Sequence, residues 1–348
     1  MKLIPLGRTG LMVSELCLGS MTWGNRNSEA EGHAQIDMAL DHGLNFIDTA
    51  EMYPVNPVAA ATVGLSEAVI GSWVAKTRRR ADVILATKIT GAGQPAVRDG
   101  ARISPATLRL AVDGSLRRLQ TDVIDLYQLH WPNRGSYHFR QLWDFDPMTG
   151  QGSTSVLDEM AAVLHTLQSF VIEGKIRHFG LSNESAWGMA QWLRIADETG
   201  GPRAQSIQNE YSLLCRTFDG DLAEFCAQEG VTLLAFSPLA AGLLSGKYQG
   251  DIIPPGSRRQ GNANLSGRIT PRAFAAVDAY HAVARQYGLD PCQMALAWCR
   301  ARPVPTIPIF GATNPAQLAL ALGSASVTLS AEVRAALSLI HRAHPMPY

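Results

Sequence analysis

Asn45-Phe46-Ile47-Asp48-Thr49-Ala50-Glu51-Met52-Tyr53 is the stretch on which the fold turns. A short apolar run ends on a carboxylate and then breaks into a polar turn that carries a tyrosine. Continuous apolar runs of this length, without polar alternation, suit parallel strands covered on both faces. Residues 16–21, 83–88, 123–130, 176–183, 204–208, 231–237 and 306–311 repeat the pattern. Helical stretches follow at 29–42, 66–76, 105–119, 156–173, 186–198, 222–229, 273–287 with 291–302, and 315–322. Gly43, Gly174, Gly200, Gly230 and Gly288 stand where such helices stop. Eight strand–helix units without a composition break predict a closed (β/α)8 TIM barrel rather than an open doubly wound sheet. Ahead of them, Leu3–Leu6 and Met12–Ser14 flank Gly7-Arg8-Thr9-Gly10, which predicts a β-hairpin capping the barrel floor.

The chain has 348 residues, enough for two average domains, but barrels of roughly this size fold as one. A single domain over 1–348 is the expectation. With 46% hydrophobic and 17% charged residues the chain is not disordered. Its net charge is zero, so no long-range field draws it to nucleic acid or to an acidic membrane. No apolar stretch reaches the roughly 18 residues that a membrane span needs. Five scattered cysteines without a C-x-x-C pair fit reduced thiols and a cytoplasmic protein. The oligomeric state is left open.

In a barrel, the C-terminal strand ends share one rim. Asp48 and Tyr53, Lys88, and His130 close the second, third and fourth strands, so a carboxylate, a phenol, an ammonium and an imidazole should converge there. A free phenol, with a pKa near 10, is a poor acid at neutral pH. An ammonium beside it would favour phenolate, and a carboxylate would keep that ammonium charged. Asp48 is therefore expected to pair with Lys88, Lys88 to tune Tyr53 for proton transfer to a carbonyl oxygen, and His130 to orient that carbonyl. The set holds no source of electrons, so a cofactor must supply them.

These residues resemble the signatures of aldo-keto reductases. The 45–53 stretch, the Lys88 strand and Asp125-Leu126-Tyr127-Gln128-Leu129-His130 carry the likeness. So do Gly180-Leu181-Ser182-Asn183, Gln208-Asn209-Glu210-Tyr211-Ser212, Phe236-Ser237-Pro238-Leu239 and Gly311-Ala312-Thr313. The wording around Tyr53 and the chain length are most similar to the bacterial Tas-like subgroup. The resemblance implies NADPH-dependent reduction of aldehydes and ketones, with Tyr53 as proton donor and Asp48, Lys88 and His130 completing a tetrad. It implies that Ser182, Asn183 and Gln208 hold the nicotinamide carboxamide and that Phe236 stacks on the ring. A cofactor-sensing regulatory subunit, similar to potassium-channel beta subunits, is the alternative it leaves.

Barrels commonly bind phosphate on the loops after strands seven and eight. Here those loops offer Ser237, Pro238, Leu239, Lys247 and Arg258, then Gly311 and Thr313 with Gln317 in the following helix. Asn314 caps that helix and Pro315 begins it, so its free N–H groups face an anion. Lys247 and Arg258 beside it suggest a 2′-phosphate, hence NADPH. Where relatives place Glu-Asn shortly after the equivalent of Gln317, this chain has Leu320-Ala321, which weakens polar contact with adenine. Gly91-Ala92-Gly93-Gln94-Pro95-Ala96 copies a dinucleotide fingerprint, but Pro95 and the stretch after it open no helix, and a loop is expected. The connection 131–155 carries Trp131, Tyr137, Phe139, Trp143 and Phe145. With Trp23, Tyr53, His130 and Trp131 it is expected to wall a pocket for an apolar or aromatic carbonyl substrate.

Overall fold

A computed structural model describes residues 1–148 and 152–348. Eight parallel strands close into a barrel. They are β3 (Cys17–Gly19), β4 (Phe46–Asp48), β5 (Ile84–Ile89), β6 (Ile124–Leu129), β7 (Ile176–Ser182), β8 (Ala204–Glu210), β9 (Thr232–Phe236) and β10 (Thr306–Phe310), with β10 pairing back onto β3. All eight expected strands form, in the expected order. β1 (Leu3–Pro5) and β2 (Met12–Ser14) make the antiparallel hairpin, Leu3 opposite Ser14. Leu6 and Val13 from this hairpin pack with Cys17, Phe46, Ala86, Leu126, Leu234 and Ile307 inside the barrel. The hairpin thus plugs the floor, and burying each of those two side chains contributes about 1.5–3 kcal/mol.

Outside the strands lie α1 (Glu29–Asp41), α2 (Leu65–Thr77), α3 (Pro105–Leu119), α4 (Ser153–Ile172), α5 (Ala186–Thr199), α6 (Asp221–Glu229), α7 (Pro271–Gln286), α8 (Pro291–Arg300), α9 (Pro315–Gly323) and α10 (Ala331–Ala343). Local chemistry sets their starts. Ser28 and Glu31 form a reciprocal capping box at α1, and Ser104, Thr270, Asp290 and Asn314 each cap a helix whose first residue is proline. The larger core, between strands and helices, runs through Trp73, Phe170, Phe179 and Trp298. The sequence reading omits α10, which packs against α7 and buries only Val333 and Leu337. Its Ser330 cap and its apolar Val333, Ala336, Leu337 and Ile340, at i, i+3, i+4 and i+7, nonetheless mark it as a helix in the sequence.

The segment 91–100 is a loop with a single short turn, as expected. Gly91 serves a packing purpose there: a Cβ would come within 2.2 Å of the Trp131 indole nitrogen. The long segments that follow β6 and β9, 131–148 and 237–270, both lie on the C-terminal rim. The second is a chain of short 3-10 turns.

Candidate active site

Inward-facing residues alternate along each strand. Phe46, Ala86 and Leu126 point into the barrel, so the residues two places on, Asp48, Lys88 and Gln128, point the same way one layer higher. The Lys88 ammonium, with no exposed surface, donates to Asp48 Oδ2 and to the Thr49 carbonyl oxygen, each at 2.7 Å. Asp48 Oδ1 accepts from Gln128 Nε2 at 3.2 Å and from Gln208 Nε2 at 2.9 Å. Gln208 Nε2 also donates to Gln128 Oε1 at 3.1 Å. The carboxylate is thus held on both oxygens, as a buried charge requires.

Tyr53 reaches this pair from the turn after β4. Lys88 Nζ lies 5.1 Å from its ring centroid, and its ring meets His130 edge-on at 6.0 Å. Glu51 pins the turn, accepting the Thr90 N–H and pairing with Arg98. The expected convergence of Asp48, Tyr53, Lys88 and His130 is therefore present. The electrostatics differ from expectation in one respect. Burial pushes the Tyr53 phenol up, and the opposing pull of Lys88 does not reverse it. Burial works against the Lys88 proton, yet Asp48 and Tyr53 more than offset this and hold it above its ordinary value. At neutral pH the pair is ammonium and neutral phenol, a donor rather than a phenolate.

Burial, reinforced by Lys88, holds His130 well below the usual imidazole range, and its Nδ1 has no partner among the described residues. His138, on the segment that follows β6, is lowered to about 3 by burial and then by Arg134. A histidine that is neutral when folded but takes a proton when unfolded stabilises the fold above about pH 6.5. That stabilisation is lost as pH falls toward the folded value, by up to about 1.4 kcal/mol per pH unit for each group. Urea midpoints should therefore drop between about pH 7 and about pH 5, and His138→Asn should flatten the drop. Equal slopes in variant and parent would contradict this.

Above the tetrad opens a cleft, about 1020 Å³ of space when the part open to solvent is counted. Ser182, Asn183, Gln208, Phe236, Ser237, Arg258 and Gly311 line it, as do His130, Trp131 and Phe139. Asn183, in left-handed backbone (φ 52°), donates to the His130 carbonyl oxygen at 2.9 Å while its own Oδ1 has no partner among the described residues. Ser237, Ala240 and Ala241 also have positive φ, at 53°, 48° and 57°. Such strain persists only where surrounding structure imposes it, and it gathers at ligand sites.

Several expected residues lie elsewhere. Trp23 is no pocket wall. It is fully buried in the main core, its Nε1 donating to Gln35 Oε1 at 3.1 Å, because the tight Thr22–Asn27 turn folds it back over Gly32. Lys247 is exposed, its ammonium 5.2 Å from the Tyr248 ring, and it does not line the cleft that Arg258 lines. Pro238 is buried and Leu239 packs on the core. Gln317 Oε1 accepts from Thr313 N and Oγ1, at 3.0 and 3.1 Å, so these two residues bond each other. Of the aromatic connection, Trp131 and Phe139 reach the cleft, whereas Trp143 is 68% exposed. Met21, Asn56, Gln128, Glu210 and Arg268 were missed. Of these, Gln128 was findable, since it shares a strand face with Leu126 and His130.

Comparison with known proteins agrees with this geometry. The model of the aldo/keto reductase family matches residues 15–341. The chain is 41% identical over 342 residues to Protein tas of Escherichia coli, covering 97% of each. It is 32% identical to the uncharacterized oxidoreductase YrpG of Bacillus subtilis, covering 94% of this chain and 92% of the relative. It is also 29% identical to a probable voltage-gated potassium channel subunit beta of Arabidopsis thaliana, over 90% of this chain and 88% of the relative. A barrel whose rim gathers a carboxylate, an ammonium, a phenol and an imidazole beneath one large cleft, in a chain matched almost end to end, belongs to the aldo/keto reductase family.

Proposed function

We propose that this protein reduces aldehydes or ketones to alcohols with NADPH and that the Tyr53 phenol donates the proton. The observation that carries this reading is the buried Asp48–Lys88 pair set against a neutral Tyr53 at the base of the cleft. When bound, a reduced nicotinamide nucleotide supplies the hydride. The residues fit such a group. Asn183 Oδ1 is an acceptor in the cleft wall without a partner among the described residues, suited to an amide N–H. Phe236 offers a ring face at the end of β9. Arg258 lines the cleft without a carboxylate partner among the described residues, and it approaches Met21 Sδ at 3.5 Å. An arginine left unpaired in a half-buried site is suited to phosphate oxygens.

Lys88 keeps the Tyr53 hydroxyl in a fixed electrostatic field, and neutral His130 offers a hydrogen bond to a carbonyl oxygen beside it. Trp131, packed on His130 at 4.9 Å between ring centroids, walls the substrate side. Free cysteines throughout fit a reducing, cytoplasmic setting.

Absorbance of the reduced nicotinamide, followed with a panel of aldehydes, tests the reading. Oxidation of NADPH faster than of NADH is the expected result, and no aldehyde-dependent oxidation of either would overturn it. Arg258→Met should raise the KM for NADPH about tenfold or more, since charge-assisted hydrogen bonds contribute about 1.5–3 kcal/mol. A KM unchanged in that variant would remove Arg258 from the phosphate site. Tight nucleotide retention with negligible turnover would instead favour a regulatory role.

A further inference from the structure

Glu210, the last residue of β8, is buried and takes no part in the chemistry above, yet three elements converge on it. Its Oε2 accepts from Arg140 Nη1 at 2.8 Å, on the connection between β6 and α4. Its Oε1 accepts from Arg268 Nε at 2.8 Å, on the connection between β9 and α7, and from the Tyr348 hydroxyl at 3.2 Å. Arg140 Nε also donates to the Ser266 carbonyl oxygen, and Arg268 Nη1 to that of Leu265 at 2.9 Å. One carboxylate thus ties two rim loops to each other and to the barrel.

The backbone at this junction is strained on both sides. Phe139 and Arg140 on one loop have φ of 59° and 67°, and Leu265 and Ser266 on the other have 48° and 57°. Four non-glycine residues in the left-handed region hold that conformation only while something imposes it. Phe139, Leu265, Ser266 and Arg268 line the catalytic cleft, and Phe139 meets Trp131 edge-on at 5.9 Å, next to His130. Through Phe139 the clasp therefore reaches the side of the cleft beyond His130, while Glu210 itself sits beside Phe236 across β8 and β9.

We propose that Glu210 is a positioning residue which, by clasping Arg140 and Arg268, closes the substrate-side wall and sets the largest carbonyl compound the site accepts. This rests on the carbonyl reduction proposed above. Without the carboxylate, Arg140 and Arg268 would repel each other and the strained pairs would relax outward. Without Arg140, Glu210 keeps Arg268 and the fold keeps its buried pair, so Arg140→Met is the gentler variant.

The test measures kcat and KM for aldehydes graded in size from propanal to naphthaldehyde, and KM for NADPH, in the parent, Arg140→Met, Arg140→Lys and Glu210→Gln. Arg140→Met should raise KM for small aldehydes, by at most about tenfold to a hundredfold, because the lost charge-assisted hydrogen bond bounds how far the closed wall is depopulated. The ratio of kcat/KM for large over small aldehydes should rise, while KM for NADPH stays within about twofold. Arg140→Lys, which keeps the charge but not the two-pronged grip, should recover part of the selectivity. Unchanged size selectivity in a folded Arg140→Met would overturn the proposal, as would a change confined to KM for NADPH. If the parent reduces no aldehyde, the functional reading fails separately. Amide hydrogen exchange then decides on the clasp: faster exchange at 138–141 and 264–268 in Arg140→Met supports it, and unchanged exchange overturns it.

Discussion

Tyr53→Phe is expected to lower kcat for aldehyde reduction by about 10²–10⁴-fold, the usual contribution of a positioned general acid. The substitution removes one oxygen and leaves the ring that faces Lys88 and meets His130. Nucleotide affinity should therefore stay within about twofold, and the thermal midpoint should change little. Because burial holds the phenol above its ordinary value, the parent should show no loss of the acid form anywhere near neutrality. Its kcat/KM for reduction should stay level through that range and fall only at strongly alkaline pH. Steady-state kinetics with both proteins, beside nucleotide titration by fluorescence, checks each part. A Phe variant with parental turnover would remove Tyr53 from the chemistry and leave the buried ion pair without a catalytic purpose.

The barrel was legible because its signal repeats. Most strands carry an apolar stretch before their polar C-terminal ends, and many of the helices begin at a residue such as Ser104, Asp290 or Asn314 that caps by its own chemistry. The same local logic placed Asp48, Lys88 and His130 on one rim, since the ends of parallel strands cannot diverge in a closed barrel. Tertiary direction was not legible. Trp23 follows the first barrel strand as a cleft residue would, but a hydrogen bond between Thr22 and Asn27 turns it into the core. Lys247 and Arg258 sit eleven positions apart on one connection, and only Arg258 ends in the cleft, because turns at Gly250 and Gly256 redirect the chain between them. The direction of the Tyr53 shift depends on how deeply the ring is buried, which no residue pattern encodes. Glu210 stands within a family signature, but its partners Arg140, Arg268 and Tyr348 come from three distant segments, so no local pattern marks its role.

Lys88→Met should destabilise the protein by about 3–5 kcal/mol and also abolish most of the activity, and the two losses can be separated. Removing one member of a buried ion pair leaves the other charge uncompensated, which costs about that amount. Here the carboxylate left behind is Asp48, 2% exposed, with only the amides of Gln128 and Gln208 to satisfy it. Replacing that carboxylate too, in Lys88→Met/Asp48→Asn, removes the stranded charge and keeps hydrogen-bonding atoms for both glutamines. The double variant should therefore recover much of the stability, giving a coupling energy well above that of unrelated sites. It should recover none of the activity, because the ammonium that fixes the field at the Tyr53 hydroxyl is still missing. Urea unfolding and aldehyde reduction on the parent, both single variants and the double complete the cycle. Additive stabilities would mean that the pair is not coupled as its 2.7 Å separation implies. Activity restored with stability would mean that Lys88 matters to this enzyme only as a counter-ion, and that Tyr53 gives up its proton without it.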